Sequence, residues 1–251
     1  MKDIAFLIKS NLEIAENIFR MDLQASAKLP KIICGQFLNL EIAGRKDLIL
    51  RRPFCICDFG TDWVSVVYAV LGKGTEALSK LKTGTAIKAL LPLGNGFALT
   101  DKHKKVAIIG GGLGVAPLLS IQKCYPDKEY KVYLGFGSKK NVILEKEFGN
   151  AVITTDDGLY GVKGYPTAVL EDNLNKGYRP DVILTCGNRN MTGAVAELAK
   201  KWGIPAFASA EERMACGVGA CLVCVCKVDG KYARVCADGP VFEIGAGGLS
   251  L

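Results

Sequence analysis

The strongest restriction on what this chain can fold into is a cysteine spacing near its C-terminus. From Ser209 to Cys236 the sequence reads SAEERMACGVGACLVCVCKVDGKYARVC, and five of the chain's ten cysteines fall in the last 21 of those residues. Cys216, Cys221 and Cys224 are spaced C-x4-C-x2-C, and eleven residues intervene before Cys236. Such a run with a remote fourth cysteine is the plant-type [2Fe-2S] pattern. Its physical basis is reach. Three thiolates must come from one short loop wrapped round a compact core, and the fourth must arrive from another strand. Gly217, Gly219 and Ala220 keep the loop clear of bulky side chains, and glycines permit the turns that aim N–H groups at sulfur.

Alternative roles fit these cysteines less well. Cysteine is a common small buried hydrophobe, but that does not account for four at this spacing among glycines. Structural zinc also takes four thiolates, usually as two close pairs, and the second pair is missing here. A disulfide framework suits neither the chain's size nor its lack of a secretion signal. Cys226 competes with Cys236 for the fourth position. It would share a strand face with Cys224, however, and could hardly close the far side of a cluster.

Length and charge narrow the class further. A chain of 251 residues, 49% of them apolar, holds two modest domains and a small appendage, each with a core to bury. The formal charge of +7 counts thiols as neutral. Four thiolates round an oxidised two-iron, two-sulfide core lower it by roughly two units. Lysines are scattered rather than run together, which argues against a nucleic-acid surface. No segment approaches a membrane-spanning apolar run. The N-terminal IAFLI lacks the flanks and cleavage site of a leader. With free cysteines, this points to the cytosol.

Along the chain, Ile18 to about Phe97 reads as short β-strands. Phe19, Met21 and Leu23 alternate with polar residues, as do Leu38, Leu40 and Ile42, and Val64, Val66, Tyr68 and Val70 form another period-2 face. AGRKD, DFGTD and GKGT supply turn signals. The pattern predicts a small antiparallel barrel. From Lys104 the texture changes to strands alternating with helices. Val106–Ile109, KVYLGF, AVITTDD and DVILTCG are short apolar runs, the last followed by the helical MTGAVAELAKKWG, which predicts a parallel sheet flanked by helices. The expected division is 1–100 for the barrel, 101–207 for the α/β unit and 208–251 for the cluster unit.

The glycine-rich GGGLGVAP lies between a predicted strand and a predicted helix, where N–H groups face a pyrophosphate. Counted from Gly112 it is G-x-G-x-x-P, with Gly112, Gly114 and Pro117 as candidate cofactor-binding residues; Pro117 suits the first turn of a helix. A plain tight turn is the alternative. Ser138-Lys139-Lys140 follows the next strand, where a basic residue could meet a nucleotide 2′-phosphate. His103, the only histidine, sits in a lysine-rich boundary segment and reads as a solvated loop residue rather than a catalytic base.

Three patterns together resemble the ferredoxin-reductase-like flavoproteins. Arg52-Pro53-Phe54-Cys55 is close to that family's Arg-x-Tyr-Ser flavin motif, Gly112-x-Gly114-x-x-Pro117 to its glycine turn, and Cys186-Gly187 with Met191 to its Cys-Gly-x-x-x-Met. With LRRPFCI, VLGKGTEALS, PLGNGF, GGGLGVAPL, LGFGSKK and EERMACGVGAC in order, the chain resembles the electron-transfer subunits of type B dihydroorotate dehydrogenase over almost its whole length.

That resemblance implies FAD, a [2Fe-2S] cluster and NAD as cofactors. Arg52 would pair with the FAD pyrophosphate, Phe54 would lie against the flavin or its ribityl chain, and Cys55 would face the isoalloxazine edge. Gly74 and Thr75 would contact the diphosphate, with Val67, Tyr68 and Ala69 along the adjoining strand. Cys186 would approach the place where hydride passes between nicotinamide and flavin. Cys55 stands where the family usually has serine, and a thiol is the poorer hydrogen-bond donor. Taken singly, Arg52 reads equally as a solvated charge, Phe54 as a core aromatic and Cys186 as a buried small residue. The implied partner is an FMN-containing dihydroorotate dehydrogenase catalytic subunit, two of each chain forming a heterotetramer, with electrons passing through the cluster and FAD to NAD+ in pyrimidine biosynthesis. Rival readings are the flavin and iron–sulfur subunit of a sulfide dehydrogenase or of a bifurcating NADH-dependent ferredoxin:NADP reductase, and, from another class, a zinc-stabilised nucleotide-binding regulator.

Overall fold

Alternating apolar residues form strands when one face is buried, and the N-terminal third does this round a closed ring. The computed structural model describes residues 1–42, 44, 45, 47–245, 249 and 250. The AGRKD turn includes Ala43 and Lys46, and the third unit includes 246–248 and 251, all outside the described residues. Strands β1 (Lys2–Ala15), β2 (Ile18–Ala25), β3 (Phe37–Leu40), β4 (Arg52–Phe59), β5 (Trp63–Ala69) and β6 (Ala86–Leu93) close an antiparallel barrel in the order β1-β2-β5-β4-β3-β6. Met21, Leu23, Leu38, Leu40, Val64, Val66 and Tyr68 fill its interior, as the alternation predicts. Two details differ from the expected pattern. The 14-residue β1 joins the ring although only Phe6 and Ile8 of its side chains are fully buried, too few to announce a strand. GKGT is the opening turn of helix α1 (Lys73–Ser79) rather than a bare turn between strands.

The barrel is followed by β7 (Lys105–Gly111), a 3-10 segment (Gly112–Leu118), α2 (Ile121–Cys124), β8 (Glu129–Phe136), β9 (Val152–Thr155), β10 (Val162–Lys163), α3 (Pro166–Asn175), β11 (Val182–Cys186), α4 (Arg189–Trp202) and β12 (Ala206–Ser209). The sheet order is β10-β9-β8-β7-β11-β12, with every pair parallel. β7 therefore sits at the switch point, where doubly wound sheets hold ligands at the strands' carboxyl ends. The expected helix after the glycine turn begins as a 3-10 segment with Pro117 inside it, and only four residues are α-helical. Asn188 caps α4 by accepting the Met191 N–H (2.9 Å), and Gly203 ends it at φ +63°.

The cysteine-bearing segment folds onto both units. β13 (Val225–Val228) and β14 (Lys231–Arg234) form a hairpin with β16 (Leu249–Ser250), while β15 (Val241–Glu243) returns to pair antiparallel with β12. Asn95, from PLGNGF, ties barrel to cluster unit. Its amide donates to the Asp238 and Val241 carbonyls (3.0 Å each), and its side-chain oxygen accepts the Val241 N–H (2.9 Å). Among the described residues no helix is long and apolar enough to cross a membrane.

Candidate functional site

The cysteine loop bends because Gly217 (φ +70°) and Gly219 (φ +83°) take left-handed backbone. The bends turn amides toward sulfur. Val218 N–H donates to Cys216 Sγ (3.4 Å), Gly219 N–H to Cys236 Sγ (3.1 Å), and Cys236 N–H to Cys224 Sγ (3.4 Å). The thiols stand as two adjoining pairs, Cys216 beside Cys221 and Cys224 beside Cys236. The Val218 N–H, chiefly, draws the Cys216 thiol down to about 6. Burial above all pushes Cys236 up to about 12, so its proton leaves in exchange for a bound cation. Among the described residues no three His, Cys, Asp or Glu side chains are gathered as a site for a single metal ion. Two adjoining pairs suit a two-iron core, in which each iron takes two thiolates, and N–H donors aimed at sulfur are its usual supports. Cys226 lies on β13 opposite Ala233.

Two supports of this loop were not legible in the sequence. Asn39, 2% exposed, reaches from β3 to donate to the Cys216 carbonyl (3.1 Å). A Cβ on Gly217 would stand 2.1 Å from the Asn39 amide nitrogen, so the loop sits directly on it. Arg234 donates to the Gly219 carbonyl (3.2 Å) and holds Asp238 through two guanidinium nitrogens (3.0 and 2.9 Å). Replacing Asn39 by alanine leaves the Cys216 carbonyl without its donor. The expected loss is about 1–3 kcal/mol of stability, with faster iron release to a chelator than from the parent protein.

The first cleft, ≈ 250 Å³, lies where the barrel meets the other two units. Pro53, Phe54 and Cys55 of β4 and Val67, Tyr68 and Ala69 of β5 line one wall, and Leu113, Ala116 and Pro117 face them. Phe54 packs on Tyr68 (ring centroids 5.4 Å apart), and the Tyr68 hydroxyl donates inward to Asn11 (2.9 Å). At one end the Arg52 guanidinium lies against the first turn of α1, where a Cβ on Gly74 would meet its Nε at 2.7 Å. One of its nitrogens donates to the Leu50 carbonyl. Among the described residues Arg52 forms no ion pair, whereas Arg51 is held by Asp3 (2.7 Å) and Glu41 (3.9 Å). A guanidinium with no carboxylate on it, beside open N–H groups, fits a pyrophosphate. The Thr75 hydroxyl is engaged locally, accepting the N–H groups of Leu71 (2.8 Å) and Gly72 (3.2 Å). Cys55 is partly open to the cleft, and the protein packed round it pushes its thiol up to about 12.

The second cleft, ≈ 730 Å³, runs along the carboxyl ends of the parallel strands. Gly111, Gly112 and Gly114 line it, with Gly135 to Gly137, Asp156, Asn188, Asn190 and Met191. The motif that reads as one stretch is thus divided, its glycines on this cleft and Pro117 on the first. A Cβ on Gly114 would lie 2.5 Å from the Cys186 carbonyl oxygen, and one on Gly187 would lie 2.2 Å from Met191 Cε. The glycine turn and the Cys-Gly-x-x-x-Met segment therefore pack backbone to backbone. Gly114→Ala is expected to force the turn away from β11, costing about 1–3 kcal/mol and raising KM for NADH with little change in bound flavin.

Lys139 and Lys140 do not reach this cleft. Lys139 lies over the Tyr160 ring (5.3 Å) and Lys140 pairs with Glu16 (2.9 Å). His103 accepts the Thr100 N–H (3.3 Å) in the boundary loop, as a surface residue does.

Between the clefts stands Glu211, which lines both and which opens the EERMACGVGAC stretch with no spacing that marks it as a site residue. Cys186 is wholly buried at the end of β11, and its thiol donates to Glu211 Oε1 (3.7 Å). Cys186 therefore lines neither cleft and touches them only through Glu211. The carboxylate is open to the clefts, but their walls displace bulk water and push it above the usual carboxylate range. The cluster loop borders the first cleft as well. Phe37 and Met214 line that cleft and pack in the same apolar group as Cys224 and Cys236.

Comparison with known proteins agrees with this arrangement. Residues 211–246 match the model of the iron-sulfur cluster binding domain of dihydroorotate dehydrogenase B. Curated relatives named dihydroorotate dehydrogenase B (NAD(+)), electron transfer subunit, include those of Streptococcus mutans (42% identical, 95% of each chain) and Caldanaerobacter subterraneus (38%, 94% of each). Among solved structures, the NADH-dependent reduced ferredoxin-NADP oxidoreductase aligns with a TM-score of 0.83 at 28% identity, over 95% of this chain and 87% of that one. Phthalate dioxygenase reductase aligns at 0.68 and 16% identity, over 89% and 86%, a likeness of fold. With two clefts and a paired-cysteine loop in one order, and near-full-length relatives above 36% identity, the chain belongs to the family of dihydroorotate dehydrogenase B electron transfer subunits.

Proposed function

We propose that this chain is the electron-transfer subunit of an NAD-linked dihydroorotate dehydrogenase. It takes electrons from an FMN-bearing catalytic subunit that oxidises dihydroorotate and delivers them to NAD+ in pyrimidine biosynthesis. Residues 1–100 form the FAD-binding unit, 101–207 the NAD-binding unit and 208–251 the [2Fe-2S] unit. Bound FAD exchanges electrons in pairs with a nicotinamide and singly with an iron–sulfur centre, and the protein sets distance and orientation. Arg52 and the first turn of α1 hold the FAD diphosphate, Phe54 and Cys55 line the flavin's place, and Gly112 and Gly114 present backbone to the dinucleotide. Glu211, steadied by Cys186, lies where the two clefts meet and orients the groups that enter from either side. Cys216, Cys221, Cys224 and Cys236 hold the cluster.

The observation that carries this reading is the shared wall. Phe37 and Met214 line the first cleft and pack in one apolar group with Cys224 and Cys236, and Glu211 lines both clefts, which supports three sites in a row. Cys221 lies at the outer end, ringed by exposed Val218, Leu222 and Val223. That apolar rim is the face on which the catalytic subunit docks, two of each chain assembling in the reducing cytosol. The likeness to the ferredoxin-NADP oxidoreductase subunit favours, as a second reading, the same relay serving a different partner.

The test is reconstitution. The purified complex should reduce NAD+ with dihydroorotate, and this chain alone should do so at no measurable rate while still oxidising NADH with a dye acceptor. Unimpaired dihydroorotate-dependent NAD+ reduction by this chain alone would rule out the division of labour.

A further inference from the structure

Cys34 and Cys124 line neither cleft. Cys34 lies in the loop between β2 and β3 and is 1% exposed, while Cys124 ends α2 and is half-buried. The two belong to different units, yet they pack in the apolar cluster where barrel and α/β unit meet. Their thiols adjoin, each perturbing the other's proton.

Both sides of this pair are pinned. The Cys34 carbonyl accepts the Phe97 N–H (2.8 Å), and its thiol donates to the Phe97 carbonyl (3.9 Å). That carbonyl also accepts the hydroxyl of Tyr125 (2.8 Å), the neighbour of Cys124. On the other side of Cys124, Lys123 crosses the seam. Its ammonium pairs with Asp58 (2.8 Å), donates to the Phe59 carbonyl (2.6 Å) and lies 4.9 Å from the Trp63 ring centroid. Apart from the Cys34 thiol's own bond to Phe97, these contacts do not depend on the sulfurs, so the two segments stay together without them.

We propose that Cys34 and Cys124 form a reversible disulfide that locks the barrel to the α/β unit, with a hydroperoxide as oxidant. Cys124 is the attacking sulfur, because it is the more open and because the adjoining Cys34 side chain, with Lys123 nearby, favours its thiolate. Its attack on the peroxide forms an S–O bond, breaks O–O and leaves a sulfenic acid. The departing hydroxide takes up the proton lost by Cys124 as water. Cys34 then attacks the sulfenic sulfur, S–S forms, and its proton leaves with the displaced hydroxyl as a second water. Two thiols lose two electrons and the peroxide gains two. The cross-link closes a ring of roughly 90 residues, which restricts the unfolded chain, and it fixes the width of the first cleft, whose walls come from both units.

The holoprotein is treated with one equivalent of hydrogen peroxide, alkylated and mapped by mass spectrometry after trypsin digestion. The expected result is a linked peptide pair carrying Cys34 and Cys124, released by dithiothreitol and absent from Cys34→Ser and Cys124→Ser. Tm should rise by about 5–10 °C in the parent protein only. In Cys34→Ser, a trappable sulfenic acid at Cys124 supports the order of attack. Both thiols alkylated in full after treatment, or Cys124 carried to the sulfinic acid with Cys34 still free, overturns the proposal. The parent protein's map decides this even where a variant misfolds.

Discussion

Replacing Cys224 by serine is expected to abolish bound iron and acid-labile sulfide and to stop electron delivery to or from the catalytic subunit. NADH oxidation by a two-electron dye should continue within a few-fold of the parent rate. Cys224 is 2% exposed, accepts the Cys236 N–H (3.4 Å) and lies with its thiol beside that of Cys236. Its loss therefore unmakes a pair rather than one contact. Loss of a mere supporting partner at a metal site costs roughly 10–100-fold in affinity, so loss of a ligand should exceed 100-fold. Cys224 lines neither of the two clefts, which is why dye reduction persists. Iron analysis, visible absorbance and the two assays on one preparation measure this. Cys226→Ser is the companion variant and should keep its iron. Retention of iron by Cys236→Ser with loss in Cys226→Ser would reverse the choice of fourth ligand.

Removing the Arg52 guanidinium should weaken FAD binding by about 100-fold or more. Each hydrogen bond between charged groups contributes about 1.5–3 kcal/mol, and a guanidinium grips phosphate with two. Arg52→Lys keeps the charge but loses the fork, and should fall between alanine and the parent. Gly74→Ala should also weaken binding, because its Cβ would displace the guanidinium from a position only 2.7 Å away. Arg51→Ala is the control. Arg51 is held by Asp3 and Glu41 at the surface, so FAD affinity should hold and stability should change by about 1 kcal/mol at most. That pair holds the Asp3 carboxyl below its ordinary value, chiefly through the Arg51 hydrogen bond. Its contribution is therefore present above the ordinary carboxylate pKa and fades as pH falls through the lowered one. FAD titration into flavin-free protein, followed by fluorescence, gives the affinities. Equal affinity in Arg52→Ala and parent would place the diphosphate elsewhere.

Much of the architecture was legible because it depends on neighbours in sequence. Strand alternation placed Met21, Leu23, Leu38 and Val66 inside the barrel, and the cysteine loop could be read because three of its ligands must come from one short run. β1 was not, since only Phe6 and Ile8 of its side chains are fully buried. Lys139 and Lys140 looked available for a nucleotide phosphate, yet Tyr160 and Glu16, brought near only by folding, engage them instead.

Asn39 shows where the boundary lies. Alternation along Phe37–Leu40 sends Leu38 and Leu40 into the barrel and Asn39 outward, which in an isolated barrel would mean solvent. Here the outer face is covered by the cysteine loop, so Phe37 packs with Cys224 and Cys236 and Asn39 donates to the Cys216 carbonyl. The order of residues by itself determined the barrel, the parallel sheet, the thiolate loop and the glycine turn, because each rests on period, spacing or backbone freedom within a short stretch. Only the tertiary structure decided that Glu211 stands between two clefts, that Cys186 packs behind it, and that Asn39 and Arg234 brace the loop. Those roles depend on surfaces from distant segments closing over one another, and local pattern carries no record of what will cover a given face.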